Sequence, residues 1–334
     1  MRWSVTIGLL CVAVVGCSAG QTGDETSTSA QSQTADRMNQ MIPLLEQGQP
    51  IFGVGHPAYV AFAPRNAGPD APPPEQPDLA AAAAEMVAYQ TGDYEMNNYS
   101  PNSAEQYRAF MEATVAAGGS ARTNPFISKI PIMHDDPEGT TARLINQLND
   151  GQVMVVMQEV ETVEEVDQVV AGMRFTSKGG IRPEEGFERA AAYWGMTEAE
   201  YLSKADVWPL NPEGELLLNV IIESVEGAAN AAAIAAHPAV AVVTVGAGTM
   251  GGVFSSRNEA GERVRDDAGF DAAVSAILTA CKNANKSCGY PANTPAEVEA
   301  LMAAGWDFLI MQRRDQDAFD AVETGLRISG RAGN

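Results

Sequence analysis

The residues of this 334-residue chain that are equipped for chemistry cluster just after short apolar runs. His56 follows one run and Tyr99 the next. His134 follows a third with Asp135 and Asp136, while Gln158 and Glu159 close a fourth. Glu223 and Ser224 follow a fifth, Gly246-Ala247-Gly248-Thr249 a sixth, and Gln312 with Arg313 and Arg314 the last. Imidazoles and carboxylates are metal ligands, so His56, His134 and Glu223 would make a metal centre if one fold brought them together. An imidazole or a phenol can carry protons, which makes His134 and Tyr99 the candidate acid–base residues. The glycine-rich run 246–249 offers bare backbone amides suited to a carboxylate or phosphate, with His56 as a further substrate contact.

These positions share a site only if the runs before them are strands of one sheet. The expected strands span 51–55, 94–98, 126–133, 153–160, 216–222, 240–245, 287–290 and 308–311. Most are continuously apolar rather than alternating, the pattern of parallel strands covered on both faces. Helical patterns separate them at 79–89, 103–117, 140–149, 163–173, 225–236, 267–283, 295–304 and 317–328. Ser103 with Gln106 and Thr294 with Glu297 read as capped helix starts, and Pro295 sits where a first helical turn tolerates proline. Eight β-then-α units predict an α/β fold, a (β/α)8 TIM barrel rather than an open doubly wound sheet. Such barrels carry their chemistry at the C-terminal ends of the strands. Two segments break the rhythm, 63–77 and 174–212, and both are expected to reach the barrel rim.

Ahead of the barrel, Arg2, the apolar stretch 5–15 and Val14-Val15-Gly16-Cys17 read as a lipoprotein signal peptide over residues 1–16, with Cys17 as the lipidated residue. The alternative is an ordinary cleaved signal with an incidental cysteine. The apolar stretch is too short for a permanent span. Residues 17–45 read as a flexible tether and 46–330 as the barrel. Ser18 after the cysteine favours the outer membrane, facing the periplasm of a bacterial cell envelope. The run 228–245 is broken by Asn230, His237 and Pro238, so membrane contact is expected through the N-terminal lipid only. With 21 basic against 43 acidic residues and a net charge of −22, nucleic acid is excluded as a partner. Cys281 and Cys288 are close enough in sequence for a disulfide in an oxidising compartment. Two buried thiols are the other reading, and spacing alone does not choose between them.

Rival chemistries find less support. Residues 246–251 also match a dinucleotide-binding glycine pattern, but that motif needs a helix directly behind it and a strand ending in an acid about twenty residues on. Residues 253–259 have no helical apolar period, so no nicotinamide cofactor is expected. No Gly-x-Ser-x-Gly elbow occurs. The acid pairs Asp135-Asp136 and Glu184-Glu185 are adjacent, which suits solvated loops better than a glycosidase.

From about residue 51 to 328 the chain resembles the HpcH/HpaI aldolase and citrate lyase β-chain family, the 2-keto-3-deoxy sugar-acid aldolases, whose barrel is of the phosphoenolpyruvate/pyruvate type. The resemblance rests on residues 144–151, on Gln168-Val169-Val170 leading to Arg174-Phe175, on Arg189-Ala190-Ala191-Ala192-Tyr193-Trp194-Gly195, on Ile221-Ile222-Glu223-Ser224, and on 246–251. It implies a divalent metal, Mg or Mn, held by a Glu after strand five and an Asp after strand six. It also implies an Arg holding a 2-keto acid and a His assisting proton transfer. Glu223 matches the first ligand. Thr249 stands at the second, Tyr99 replaces the His, and Met133 or His134 replaces the Arg. The resemblance thus implies a metal-dependent carbon–carbon lyase acting through an enolate on a small 2-keto acid. The alternative is a catalytically silent envelope lipoprotein that binds a small carboxylate or a protein. The resemblance further suggests a homo-oligomer exchanging its terminal helix, 317–328.

Overall fold

The computed structural model describes residues 37–58, 60–61, 72, 74–97 and 104–331. Tyr99, Cys17, the signal peptide and the cap at Ser103 lie outside the described residues. The packed part of the chain begins at Arg37 rather than at residue 46. A short helix, α1 (Met41–Glu46), buries Met41 and Ile42, so residues 37–45 belong to the barrel unit and not to a tether.

Eight parallel strands close into a barrel. They are β1 (Ile51–Gly55), β2 (Tyr94–Asn97), β3 (Phe126–Ile130), β4 (Met154–Met157), β5 (Leu217–Ile222), β6 (Val242–Val245), β9 (Ser287–Ala292) and β10 (Phe308–Met311). The order around the barrel is β1-β10-β9-β6-β5-β4-β3-β2. β4, β5, β6 and β10 are buried at every position, because helices cover the outer face and side chains fill the inside. The helical layer has the caps its sequence demands. Thr162 and Glu165 form a reciprocal capping box, as do Thr294 and Glu297, so each satisfies amides that a helix start leaves unpaired. The eight strand–helix units expected from the apolar runs are therefore present.

Two features depart from expectation. The run 246–249 is not a bare turn but the start of a short helix, α9 (Ala247–Val253), for which Gly246 is the N-cap. An antiparallel hairpin of β7 (Ser255–Arg257) and β8 (Arg263–Arg265) follows it. The segment 174–212 does not reach the catalytic rim. It leaves a helix rather than a strand, and so it starts at the opposite end of the barrel. There α6 (Glu188–Trp194) anchors it: the Trp194 indole donates to Gly151 O at 2.9 Å, just before β4, and the Tyr193 hydroxyl to Asn124 O at 2.6 Å, just before β3. The terminal helix α12 (Gln316–Ile328) packs on β1. It buries Ala318, Ala321, Val322 and Leu326, and Gly325 lies so close to Phe52 of β1 that a Cβ there would come within 2.3 Å of the ring.

Cys281, in α10 (Asp267–Asn283), is bonded to Cys288 of β9, so the disulfide reading holds.

Candidate active site

Alternation along each strand decides which side chains enter the barrel. Tyr94 and Met96 of β2, Lys129 of β3, Val156 of β4, Asn219 and Ile221 of β5, Thr244 of β6, Pro291 of β9 and Phe308 and Ile310 of β10 all point inward. With Glu223, Gln312 and residues 245–249 they line a cavity of about 110 Å³ at the C-terminal ends of the strands. That is well below the about 300–1,000 Å³ of sites for drug-sized ligands, and it suits a molecule of a few carbons.

The inner wall is shaped by two glycines. A Cβ on Gly53 would sit 2.3 Å from the Tyr94 ring, so only glycine lets that ring lie across β1, where it stacks on Phe308 at 5.0 Å. A Cβ on Gly289 would meet the Thr244 hydroxyl at 2.1 Å. With that space free, Thr244 donates to the Asn219 side-chain oxygen at 2.8 Å.

Glu223 stands at the rim, only 7% exposed. Burial raises its carboxyl above the usual range. The nearby Thr249 hydroxyl, the Lys129 charge and the Glu159 amide pull the other way without cancelling the rise. Two local backbone features bring the carboxylate into place. Gly246 leaves the room it occupies, since a Cβ there would lie 2.1 Å from Glu223 Oε2. Glu159, at the end of β4, adopts φ 46°, a left-handed conformation that costs about 1–2 kcal/mol in a residue with a side chain. Such strain persists only where the surroundings enforce it, and here it accompanies an amide set beside the Glu223 carboxylate.

Lys129 is the single cation among the lining residues, and it makes no ion pair among the described residues. It lies within a strand rather than after one, where strand-end position gives no sign of it. The same holds for Asn219. Both are polar interruptions of apolar parallel strands, Phe-Ile-Ser-Lys-Ile and Leu-Leu-Asn-Val-Ile-Ile. That signal was present in the sequence: Asn219 is the single polar residue of its strand and Lys129 the single charged one of its own.

The two histidines are not part of this cavity. His56 turns outward into the helical layer, its ring 5.1 Å from Phe126 and 5.8 Å from Phe110, with Nε2 3.1 Å from Glu95 O. Burial first, then the Arg314 charge, lowers its pKa to about 3 against the raising effect of the Glu95 carbonyl, so the ring is neutral and is no substrate contact. His134 pairs through Nδ1 with Glu165 at 2.8 Å, at the start of α5 (Val163–Met173), also away from the cavity. Its assignment as a proton carrier is therefore not supported, and neither is a metal centre of His56, His134 and Glu223. The arginines after β10 also turn away. Arg314 donates to Gly55 O and to Glu95, both at 3.0 Å, and Arg313 pairs with Asp315. The cation near the cavity is thus Lys129, not a residue at 133 or 134.

A divalent metal fits this donor set poorly. Hard cations are held by several oxygen ligands with carboxylate charge among them. The cavity offers one carboxylate, with a threonine hydroxyl at the second ligand position and an ammonium on the same wall. Among the described residues no three His, Cys, Asp or Glu side chains converge on a common point.

No protein-family model matches the chain. A hydroxypyruvate/pyruvate aldolase of Chromohalobacter salexigens is 31% identical over 187 residues, which span 56% of this chain and 63% of that protein. The match thus extends over less than two thirds of the relative's length. An HpcH/HpaI aldolase/citrate lyase family protein from Burkholderia cenocepacia superposes with a TM-score of 0.62 at 18% identity, covering 87% of this chain and 98% of the other. The citrate lyase beta subunit of M. tuberculosis, complexed with oxaloacetate and magnesium, superposes with a TM-score of 0.50 at 14% identity, covering 84% and 99%. The family resemblance read from the motifs is therefore met in the fold as well.

Several motif residues that carried the resemblance turn out to be scaffold. Asp150 takes Arg108 and Arg189 at 2.9 and 2.8 Å, and Arg174 binds Asp206 at 2.8 Å.

Proposed function

We propose that this chain, built on the barrel of the HpcH/HpaI aldolase and citrate lyase family, is an aldolase-type carbon–carbon lyase acting on a small 2-keto acid. The observation that carries this reading is that Lys129 and the buried Glu223 line one small cavity at the C-terminal end of the barrel. On a chain of net charge −22, a lone cation inside a cavity is what draws an anionic substrate to that spot. The keto oxygen faces the Lys129 ammonium, which stabilises negative charge as it develops there. The amides of the 246–249 run receive the substrate carboxylate. Glu223, its carboxyl raised by burial, is suited to exchange a proton with the carbon beside the carbonyl. No step here is routed through a metal, since the donor set supplies one carboxylate. In the cell we place the protein on the envelope through a lipid at Cys17, with the barrel facing the periplasm.

The test is exchange of pyruvate methyl protons with deuterium, followed by NMR, with Glu223→Ala as the comparison. Exchange that disappears in the variant supports the lyase. A protein that pyruvate stabilises against heat without exchange is instead a carboxylate binder, and the lyase reading fails.

A further inference from the structure

The same wall points to how the carbonyl is activated. A 2-keto acid gives up a carbon–carbon bond or an α-proton only if something at C2 accepts the electrons. In metal-dependent lyases a divalent cation takes that part. Here the position after β6 that would supply the second ligand carries a hydroxyl, and the cavity brings a positive charge of its own in Lys129. Lys129 is held within β3, one residue before its C-terminal end, with Val156 of the neighbouring β4 as its registered partner, so its stem is fixed by the sheet rather than by a loop. It is half-buried, unpaired among the described residues, and shares the cavity with apolar Met96, Ile221 and Ile310. A primary amine in such a setting, beside a proton-carrying group, is the arrangement used for covalent catalysis on ketones.

We infer that Lys129 is the imine-forming nucleophile of this site, doing at C2 of the substrate what a divalent cation would otherwise do. The inference rests on the 2-keto acid reading above. The Lys129 ammonium gives up a proton to solvent, the freed amine adds to C2, and with one proton taken back from solvent the carbinolamine expels water to leave a protonated imine. The C3–C4 bond then breaks, its electron pair moving toward the iminium to give an enamine, while the C4 hydroxyl proton passes to solvent water and the aldehyde departs. Protonation of the enamine at C3 restores the iminium. Water then hydrolyses it, releasing the shortened keto acid and the amine.

The experiment treats the full-length chain with pyruvate and sodium cyanoborohydride, maps the adducts by peptide mass spectrometry, and follows methyl-proton exchange in the presence of a chelator. The expected result is a carboxyethyl group on Lys129 in preference to the other lysines. Exchange should survive chelation and fall at least about 100-fold in Lys129→Arg, which keeps the charge but forms no stable imine. Exchange that persists without a Lys129 adduct, or that returns only with added magnesium, overturns the inference and leaves the 2-keto acid lyase reading standing. Neither binding nor exchange overturns both. The adduct map on the unaltered chain decides the matter even if Lys129→Arg and Lys129→Met fail to fold.

Discussion

Replacing Gly246 by alanine tests the placement of Glu223 directly. The backbone at Gly246, φ −79° and ψ 65°, lies on the side of φ that an L-residue accepts, so the cost must come from contact. The new Cβ would fall 2.1 Å from Glu223 Oε2, 2.5 Å from its Cβ and 2.8 Å from its Cδ. The carboxylate oxygen can swing away. The Glu223 Cβ cannot, because it is fixed at the end of β5. Forcing one extra carbon into a filled space costs about 1–3 kcal/mol. Reduced freedom of the unfolded chain returns about 0.4–1 kcal/mol. The net loss of about 1–2 kcal/mol corresponds to a fall in Tm of about 2–4 °C for a domain of this size. The displaced carboxylate should also cut pyruvate proton exchange by about 100-fold, as a misplacement of about 1 Å does elsewhere. Gly248→Ala, two residues on and inside the helix that Gly246 caps, meets open space and should raise Tm slightly, since alanine is the better helix former by up to about 1 kcal/mol. Differential scanning fluorimetry and deuterium exchange read both variants. A Gly246→Ala protein that melts no lower than the parent and exchanges protons at the parental rate would refute the close approach of Glu223 to this turn.

Glu223→Gln should abolish exchange yet raise Tm at pH 7. A carboxyl whose folded pKa is raised opposes folding once it ionises, and the advantage should vanish toward pH 4, where both states are neutral; an unchanged Tm at pH 7 would count against a buried carboxylate. His134→Ala should leave exchange intact, because the ring faces Glu165 and not the cavity. Burial opposes the charged ring, but Glu165 raises its pKa overall. The pair therefore stabilises fully below pH 6.5 and loses its effect as pH rises through the raised value; screened by solvent, it is worth about 0.5 kcal/mol in a urea titration at pH 6. Reducing the disulfide, or changing Cys281 and Cys288 together to serine, should cost about 2.5 kcal/mol, the loop entropy for a separation of seven residues, with equilibrium unfolding as the measure.

Much of the architecture was legible before any coordinates. Continuous apolar runs alternating with capped helical stretches can only be buried as parallel strands under helices, and eight of them close a barrel. Thr294 with Glu297 marked one helix start, and the structure has that box. Glu223 was legible at the rim because it directly follows the apolar run 216–222 and stands where the family resemblance puts an acid after strand five. The sequence alone thus determined the fold class, the end of the barrel where the cavity lies, and the carboxylate that lines it.

What needed the tertiary structure was which neighbours face each other across the barrel. His56 and Glu223 both follow strands, yet the local chain turns one into the helical layer and the other into the hollow, a difference of side-chain direction that no spacing encodes. Lys129 looked like one charged residue in a mostly apolar run. Only closure of the sheet set it on the same wall as Glu223, because that meeting depends on contacts between strands far apart in sequence.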